Sequence, residues 1–477
     1  MIRFISEEAM EKLHRKSLEL LENVGVEIQH EAVLTRLARA GAKVDQAGFR
    51  ARLPGGLVEE CLGHVPREYV LAARNPKHDI RFPLPENEFI TRTNTGAPHF
   101  VEPLTYQLRD VVTLAQQADF TRLSDALENV DYIASPFIGD APLQTTGLYA
   151  LKSMFENTGK HLWIQPYHED TLPYLVEMVA AVAGGKDEIR KRPVAHITVG
   201  SVSPLRFKYM DTEALRLCGE YGLPVTIYAL PSMGGTAPLS IGGINLLTNC
   251  ELLAGNVVVQ VCHPGTPVHF LGHKFMIDMA SGAARHSAVE TMMAAAAHGE
   301  FSIRKYGIPF HTYGSGSDSF LPDGQSMIDR TFQGLLAGLG EVKVFGGVGQ
   351  LETVNAISPT QLVIDNDILG MIRKVRRGIN WDDDNLAAEV IAQVGPGGEF
   401  MTHDHTYRHC RDAFRTKTFN RMSRAEWLAE GKGRTILENA DDLVDELLKS
   451  HEVTPLPADA ARALAEILNH ANKKLGA

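Results

Sequence analysis

The chain has 477 residues, enough for one α/β domain of about 250 to 300 residues with additions at both ends, or for two to three ordinary domains. Apolar residues at 44%, charged residues at 22% and 42 glycines exclude a disordered or fibrous chain. A net charge of −11 argues against nucleic acid or an anionic membrane surface as partner, because both demand clustered Lys and Arg.

Ser6, followed by Glu7 and Glu8, is a candidate N-cap, and Met10, Leu13, Leu18, Leu21 and Val24 give a helical stripe that ends at Gly25. A second amphipathic helix is expected from about His30 to Ala40, and a short one from Gly56 to Cys61. YVLAARN and HDIRFP follow as short strands, so residues 1–115 read as a small α+β region. From there, apolar strand candidates recur at 132–137, 161–167, 195–199, 225–230, 268–272, 308–313, 342–348 and 353–357. Helical stretches lie between them at 147–158, 171–183, 210–221, 244–261, 287–305 and 325–338. Eight strands alternating with helices predict a parallel sheet, and eight is the number that closes a (β/α)8 TIM-type barrel, placed here at residues 116–378. The segment LVIDNDILGMIRKVRRGI reads as a long helix, and residues 379–477 as a C-terminal helical region covering one side or the mouth of the barrel.

The basic run Arg373, Lys374, Arg376 and Arg377 is short and reads as a solvated helix end. Five scattered cysteines, Cys61, Cys218, Cys250, Cys262 and Cys410, form no CxxC pair and look like reduced thiols. The first residues carry charges throughout, and no run approaches the roughly 18 apolar residues of a membrane span, so a cytoplasmic protein is expected.

Chemistry is expected at the rim where the strands end. The polar segments GSVSP, LPSMGG, GHKF, YGSGSD and GGVGQLE each follow a strand, although glycines also simply punctuate strand ends. No GxxxxGK[ST] loop is present, and FGGVG suits either a phosphate cradle or a plain turn. His403, His405 and His409 with Asp404 and Cys410 are the densest group of potential metal ligands, but the same stretch reads as a capped loop; no metal is assigned. Trp163, Tyr167, Tyr228, Phe270, Tyr313 and Phe345 lie near strand ends. If several converge, their ring faces would suit a quaternary ammonium; each alone is more often a core residue.

Three segments, SDSFLPDGQSMIDRTFQGLLAGLGEVKVFGGVGQLE, QLVIDNDILGMIRKVRRGI and EVIAQVGPGGEFMTHDHT, resemble the trimethylamine methyltransferase family of corrinoid-dependent amine methyltransferases. GTPVHFLGHKFMIDMASG and the N-terminal helix are similar to it more loosely, so the resemblance spans nearly the whole chain. Founding members of that family carry pyrrolysine in the loop after the sixth strand. Here that loop is Ser317, Asp318, Ser319, Phe320, Leu321 and Pro322, which points to the pyrrolysine-free members that demethylate quaternary amines such as glycine betaine. The resemblance implies an SN2 transfer of methyl to Co(I) of a corrinoid carried by a cognate corrinoid protein, with no cofactor held tightly by this chain, and a homo-oligomer is expected. A quaternary nitrogen already activates its methyl, so orientation and exclusion of water matter more than acid or base. On this reading Tyr167, Tyr228, Tyr313 and Phe345 hold the ammonium, and Gln165 and His273 stand near a substrate carboxylate. Asp318 and Glu352 either support the cation electrostatically or cap the helices that follow. Two other readings stand beside it: a metal-dependent barrel hydrolase or lyase using the His403 and His405 cluster, and a betaine-binding protein without turnover.

Overall fold

A computed structural model describes residues 3–429, 431 and 433–476. Eight parallel strands close into a barrel: β1 Ile90–Thr93, β2 Tyr132–Ala134, β3 His161–Ile164, β4 Ala195–Gly200, β5 Val225–Ala229, β6 Val268–Gly272, β7 Phe310–Tyr313 and β8 Val344–Val348. Each is followed by a helix on the outside: α1 Leu114–Ala126, α2 Thr146–Asn157, α3 Leu172–Ala183, α4 Tyr209–Tyr221, α5 Ile241–Cys262, α6 Val289–Phe301, α7 Gly324–Leu339 and α8 Pro359–Arg377. The helix starts are written locally. Thr113 and Gln116 form a capping box on α1, Asp323 accepts from Ser326 N–H at α7, and Ser358 caps α8 ahead of Pro359.

The register differs from the expected one at both ends of the barrel. The first strand is Ile90–Thr93, so the barrel begins well before residue 116; ITRT was missed because Thr91, Arg92 and Thr93 are all buried polar residues and show no apolar alternation. The expected eighth strand near 353–357 supplies only Ala356–Ile357, which pairs with His99–Val101 in a small sheet outside the barrel.

The N-terminal residues build three helices and a small sheet that recruits Arg206–Phe207, and helices Glu7–Asn23 and Gly55–His64 pack on α5. α5 is long and apolar enough to cross a membrane by composition, but 83% of its most apolar window is buried in the barrel wall. The hairpin Tyr69–Leu71 and Ile80–Phe82 closes the end of the barrel where the strands begin: Leu71, Ile80 and Phe82 pack with Ile90, Tyr132, Trp163 and Val344. The helix Ile436–Ser450 lies along α8 and α1, and Ala458–Leu475 along α3 and α2, so both cover the flank of the barrel. The mouth at the carboxyl ends of the strands is left to the βα loops.

Candidate active site at the barrel mouth

Barrel interiors are usually filled with branched aliphatic side chains. Here the lower interior holds His161, His196, His269 and His311 with Tyr132, Trp163 and Arg92, all buried. His161 Nε2 and His196 Nδ1 are 2.7 Å apart, and His311 Nε2 accepts from Arg92 Nε at 3.2 Å. Burial drives these imidazoles toward the neutral form, His161 to about 4 and His269 to about 3. Arg92 therefore carries the charge of this layer. Its guanidinium lies 4.2 Å from the Trp163 ring centroid and 5.2 Å from that of Tyr313, and Nη1 donates to Thr93 O at 2.7 Å.

The glycines of FGGVG make room for this layer. A Cβ at Gly346 would stand 2.8 Å from His311 Nε2 and 3.0 Å from the Arg92 guanidinium; one at Gly347, whose φ is +90°, would stand 2.5 Å from the Tyr313 ring. Close approach of Arg92 and Tyr313, rather than a phosphate cradle, accounts for both.

Above Arg92, side chains from six strand ends or their loops meet. The Tyr313 and His273 rings lie 4.0 Å apart, and His273 Nε2 pairs with His286 Nδ1 at 2.9 Å. Tyr313 OH donates to Asn94 Oδ1 at 3.4 Å, and Thr95 Oγ1 donates to Gln165 Oε1 at 3.2 Å. Tyr167 stands edge-on to Phe137 at 5.1 Å. Burial pushes the phenols of Tyr167 and Tyr228 above the usual range, helped by Tyr313 beside Tyr167 and by Asp211 and then Tyr167 beside Tyr228. The three tyrosines expected at the rim are thus neighbours. Burial also holds His273 well below the ordinary histidine range and His286 at about 4, so both are neutral at pH 7. His273 consequently offers a substrate carboxylate no positive charge.

Two placements differ from expectation, those of Phe345 and Asp318. Phe345 faces the outer wall, fully buried and stacked on Phe89 at 4.1 Å, because its neighbour Gly346 takes the inward position on β8. Asp318 is a clamp: Oδ1 accepts from His286 N at 2.8 Å and Thr353 Oγ1 at 2.8 Å, and Oδ2 from Ser287 N at 3.0 Å. Three loop donors hold it, so it ties the loop before α6 to the loops after β7 and β8. Glu352 begins a run of left-handed residues, Glu352, Thr353 and Val354 at φ 51°, 50° and 80°. Such a conformation costs about 1 to 3 kcal/mol per non-glycine residue and persists only when surroundings enforce it. The enforcing bonds are Glu352 N to Ser319 O at 2.7 Å, Thr353 N to Ser317 O at 3.1 Å and Asn94 Nδ2 to Val354 O at 3.1 Å. Glu352 Oε2 is enclosed with no hydrogen-bond partner among the described residues, which suits a cation.

Sequence reasoning missed Arg92, Asn94, His286 and Asp211. Asp211 starts α4, accepts from the Gly200 backbone at the end of β4, and adds charge beside Tyr228; burial raises its carboxyl to about 6. As an acid in the first turn of an amphipathic helix it read as an ordinary helix-start residue.

The buried thiols are inert: desolvation pushes Cys61 and Cys250 up to about 12. The histidines at 403–409 lie at the opposite end of the barrel. Their segment packs where α8 ends, with Lys374 Nζ donating to Asp412 O and Phe414 against Gly370. That end is where strands begin, since Arg373 Nη1 donates to Phe89 O and Arg376 Nη1 to Val342 O. His403 caps the turn through Nδ1, accepting from His405 N at 3.1 Å.

The closed parallel barrel, with aromatic side chains grouped at the carboxyl ends of its strands, defines a (β/α)8 protein. The family model described as Trimethylamine methyltransferase (MTTB) matches residues 1–476, and the chain belongs to that family of methyltransferases. It is 30% identical to the trimethylamine methyltransferase MttB of Desulfitobacterium hafniense over 99% of this chain and 94% of that protein. It is also 30% identical to a glycine betaine methyltransferase of Desulfitobacterium hafniense, over 90% of this chain and 89% of that protein. Among solved structures, the monomethylamine methyltransferase of Methanosarcina barkeri matches with a TM-score of 0.51 at 11% identity, covering 95% of this chain and 89% of that one, which bears on the fold alone.

Proposed function

We propose that this protein moves a methyl group from a quaternary amine, glycine betaine by preference, to the cobalt of a corrinoid borne by a separate protein, without pyrrolysine. The neighbourhood of Tyr167, Tyr228 and Tyr313, the last of them packed on the neutral pair His273 and His286, carries the reading. A quaternary ammonium cannot donate a hydrogen bond, so ring faces and a nearby carboxylate are the groups that recognise it. Asp211, beside Tyr228, and Glu352, whose Oε2 has no hydrogen-bond partner among the described residues, are the carboxylates proposed for that role. Arg92, beneath the tyrosines, favours a substrate carboxylate pointing inward, which would leave the methyl groups toward the mouth. Neutral His273 and His286 hold ring positions without competing for the cation. No proton needs to move, because the amine departs neutral once its methyl leaves.

The corrinoid supplies the nucleophile when its carrier docks, and the chain's part is to bind, orient and dry the amine. The similarity to a glycine betaine methyltransferase and the ordinary loop of Ser317 to Pro322 support this substrate class. The test is calorimetry with glycine betaine, proline betaine, carnitine, choline and trimethylamine, followed by Co(I) methylation with any binder. Binding of one quaternary amine, with methyl appearing on cobalt, is expected. Preference for trimethylamine, or silence across the panel, would overturn the reading.

A further inference from the structure

A second polar cluster lies far from the mouth, and the proposed function makes no use of it. Asp384 sits in the turn Asp383–Leu386, while His405 and His409 stand one turn apart on Asp404–His409 with ring centroids 4.3 Å apart. One donor atom from each of the three lies within 4.8 Å of the others. His409 Nε2 is 2.9 Å from Asp384 Oδ2, and His405 Nε2 is 2.9 Å from the Asp384 carbonyl oxygen. On its far side His409 Nδ1 pairs with Asp412 Oδ2 at 2.7 Å. A carboxylate behind a ligating histidine fixes its tautomer and raises its basicity, the usual outer arrangement of a metal-bound imidazole. The i, i+4 histidine pair with one carboxylate from another element is likewise a donor set of zinc centres.

We propose that Asp384, His405 and His409 bind a divalent transition-metal ion, Zn2+ foremost, through Asp384 Oδ2 and the two Nε2 atoms. The Asp384 carbonyl oxygen is in reach as a fourth donor. The ion takes the place of the proton that His409 now shares with Asp384, and Asp412 offsets the added charge. Arg408 Nη1, 3.1 Å from Asp384 Oδ1, holds the other carboxylate oxygen and leaves Oδ2 to the ion. With imidazole and carboxylate donors and no thiolate, the site suits Zn2+, Co2+ or Ni2+ over Mg2+ or Ca2+. His403 is excluded because its Nδ1 caps the helix, and Cys410 because its thiol turns to Tyr407 O. The ligands are 21 and 25 residues apart along the chain, so the ion ties two ends of an excursion that carries exposed Ile391, Phe400, Met401 and Tyr407.

The experiment uses the untagged full chain, stripped with a chelator. Titration with Zn2+ against a chromophoric chelator is expected to show one tight equivalent, and Co2+ to give visible absorption bands of a nitrogen-oxygen site. Bound Zn2+ is expected to slow proteolytic cleavage between residues 386 and 403. The double variant His405→Ala/His409→Ala is expected to lose binding by at least a hundredfold, and Asp412→Asn by roughly tenfold. His451→Ala, which alters a half-buried histidine paired with Asp125 elsewhere, is expected to bind as the parent does. Circular dichroism of each variant reports whether it has folded. Absence of a stoichiometric site, or binding that survives the double replacement in a folded variant, would overturn the proposal.

Discussion

Asp211 stands beside Tyr228 with its carboxyl raised to about 6, mainly by desolvation, so it changes charge just below neutral pH. Above that value the carboxylate is present and attracts a cation; below it the group is neutral and the attraction is gone. Affinity for a quaternary amine should therefore fall as pH drops from 7.5 to 5, by roughly 5- to 30-fold if the pair is worth about 1 to 2 kcal/mol at an effective dielectric near 20. Asp211→Asn should flatten that profile and bind weakly at both ends, which calorimetry across pH reads directly. A profile that stays steep in the variant would assign the titration elsewhere. The tyrosines act through their faces, so Tyr167→Leu and Tyr228→Leu should each weaken cation binding by about 2- to 30-fold, whereas the phenylalanine variants should bind almost as the parent does. A tyrosine needed through its hydroxyl would reverse that order.

Two of the segments that carry the family resemblance meet in a single buried ion pair. Arg330 of α7 and Asp365 of α8 are both fully buried, with Nη1 to Oδ2 at 2.7 Å; Arg330 Nη2 also donates to Gln350 O and Asp365 Oδ2 accepts from Gly349 N, each at 2.7 Å. The pair thus fixes the turn after β8 to the two helices beside it. Removing one partner leaves an unpaired buried charge, so Asp365→Ala should lower the unfolding free energy by about 3 to 5 kcal/mol. The apolar double variant Arg330→Met/Asp365→Leu should lose less in chemical denaturation. Equal losses would show that the helices, and not the charges, set the cost. At this scale sequence reading succeeds where periodicity and caps are local, as in α5, α7 and α8. It fails where burial is polar: ITRT is a core strand whose side chains pair with His311, Ala134 O and Asn129 O from other strands and loops, information that no local window contains. Tyr167, Tyr228 and Tyr313 were legible because aromatic residues at strand ends have few places to go, whereas Phe345 shows that parity along a strand decides inside from outside. Asp318 was visible as an acid in a loop, but its three donors come from 31 to 35 residues away.

Over the whole molecule, the elements divide the two ends of the barrel between different tasks. The hairpin at Tyr69–Leu71 and Ile80–Phe82 and the Asp384 cluster occupy the end where strands begin; the last two helices lie on the flank. The opposite rim keeps Leu143, Leu239, Met279, Phe320 and Leu321 exposed on loops after β2, β5, β6 and β7. Apolar side chains held out on loops around a ligand mouth suit a partner that must seal it, and sealing is what a water-sensitive methyl transfer requires. If the corrinoid protein docks there, Phe320, 62% exposed, and Met279, 71% exposed, lie in its footprint while making no part of the amine pocket. Phe320→Asp and Met279→Asp should then raise the KM for the corrinoid protein by about tenfold each, in line with about 1 to 2 kcal/mol per buried apolar anchor. Their Kd for the amine, measured by calorimetry without the partner, should be unchanged. A parallel loss of amine affinity would place these residues in the pocket wall, and no effect on either constant would move the docking face off the rim.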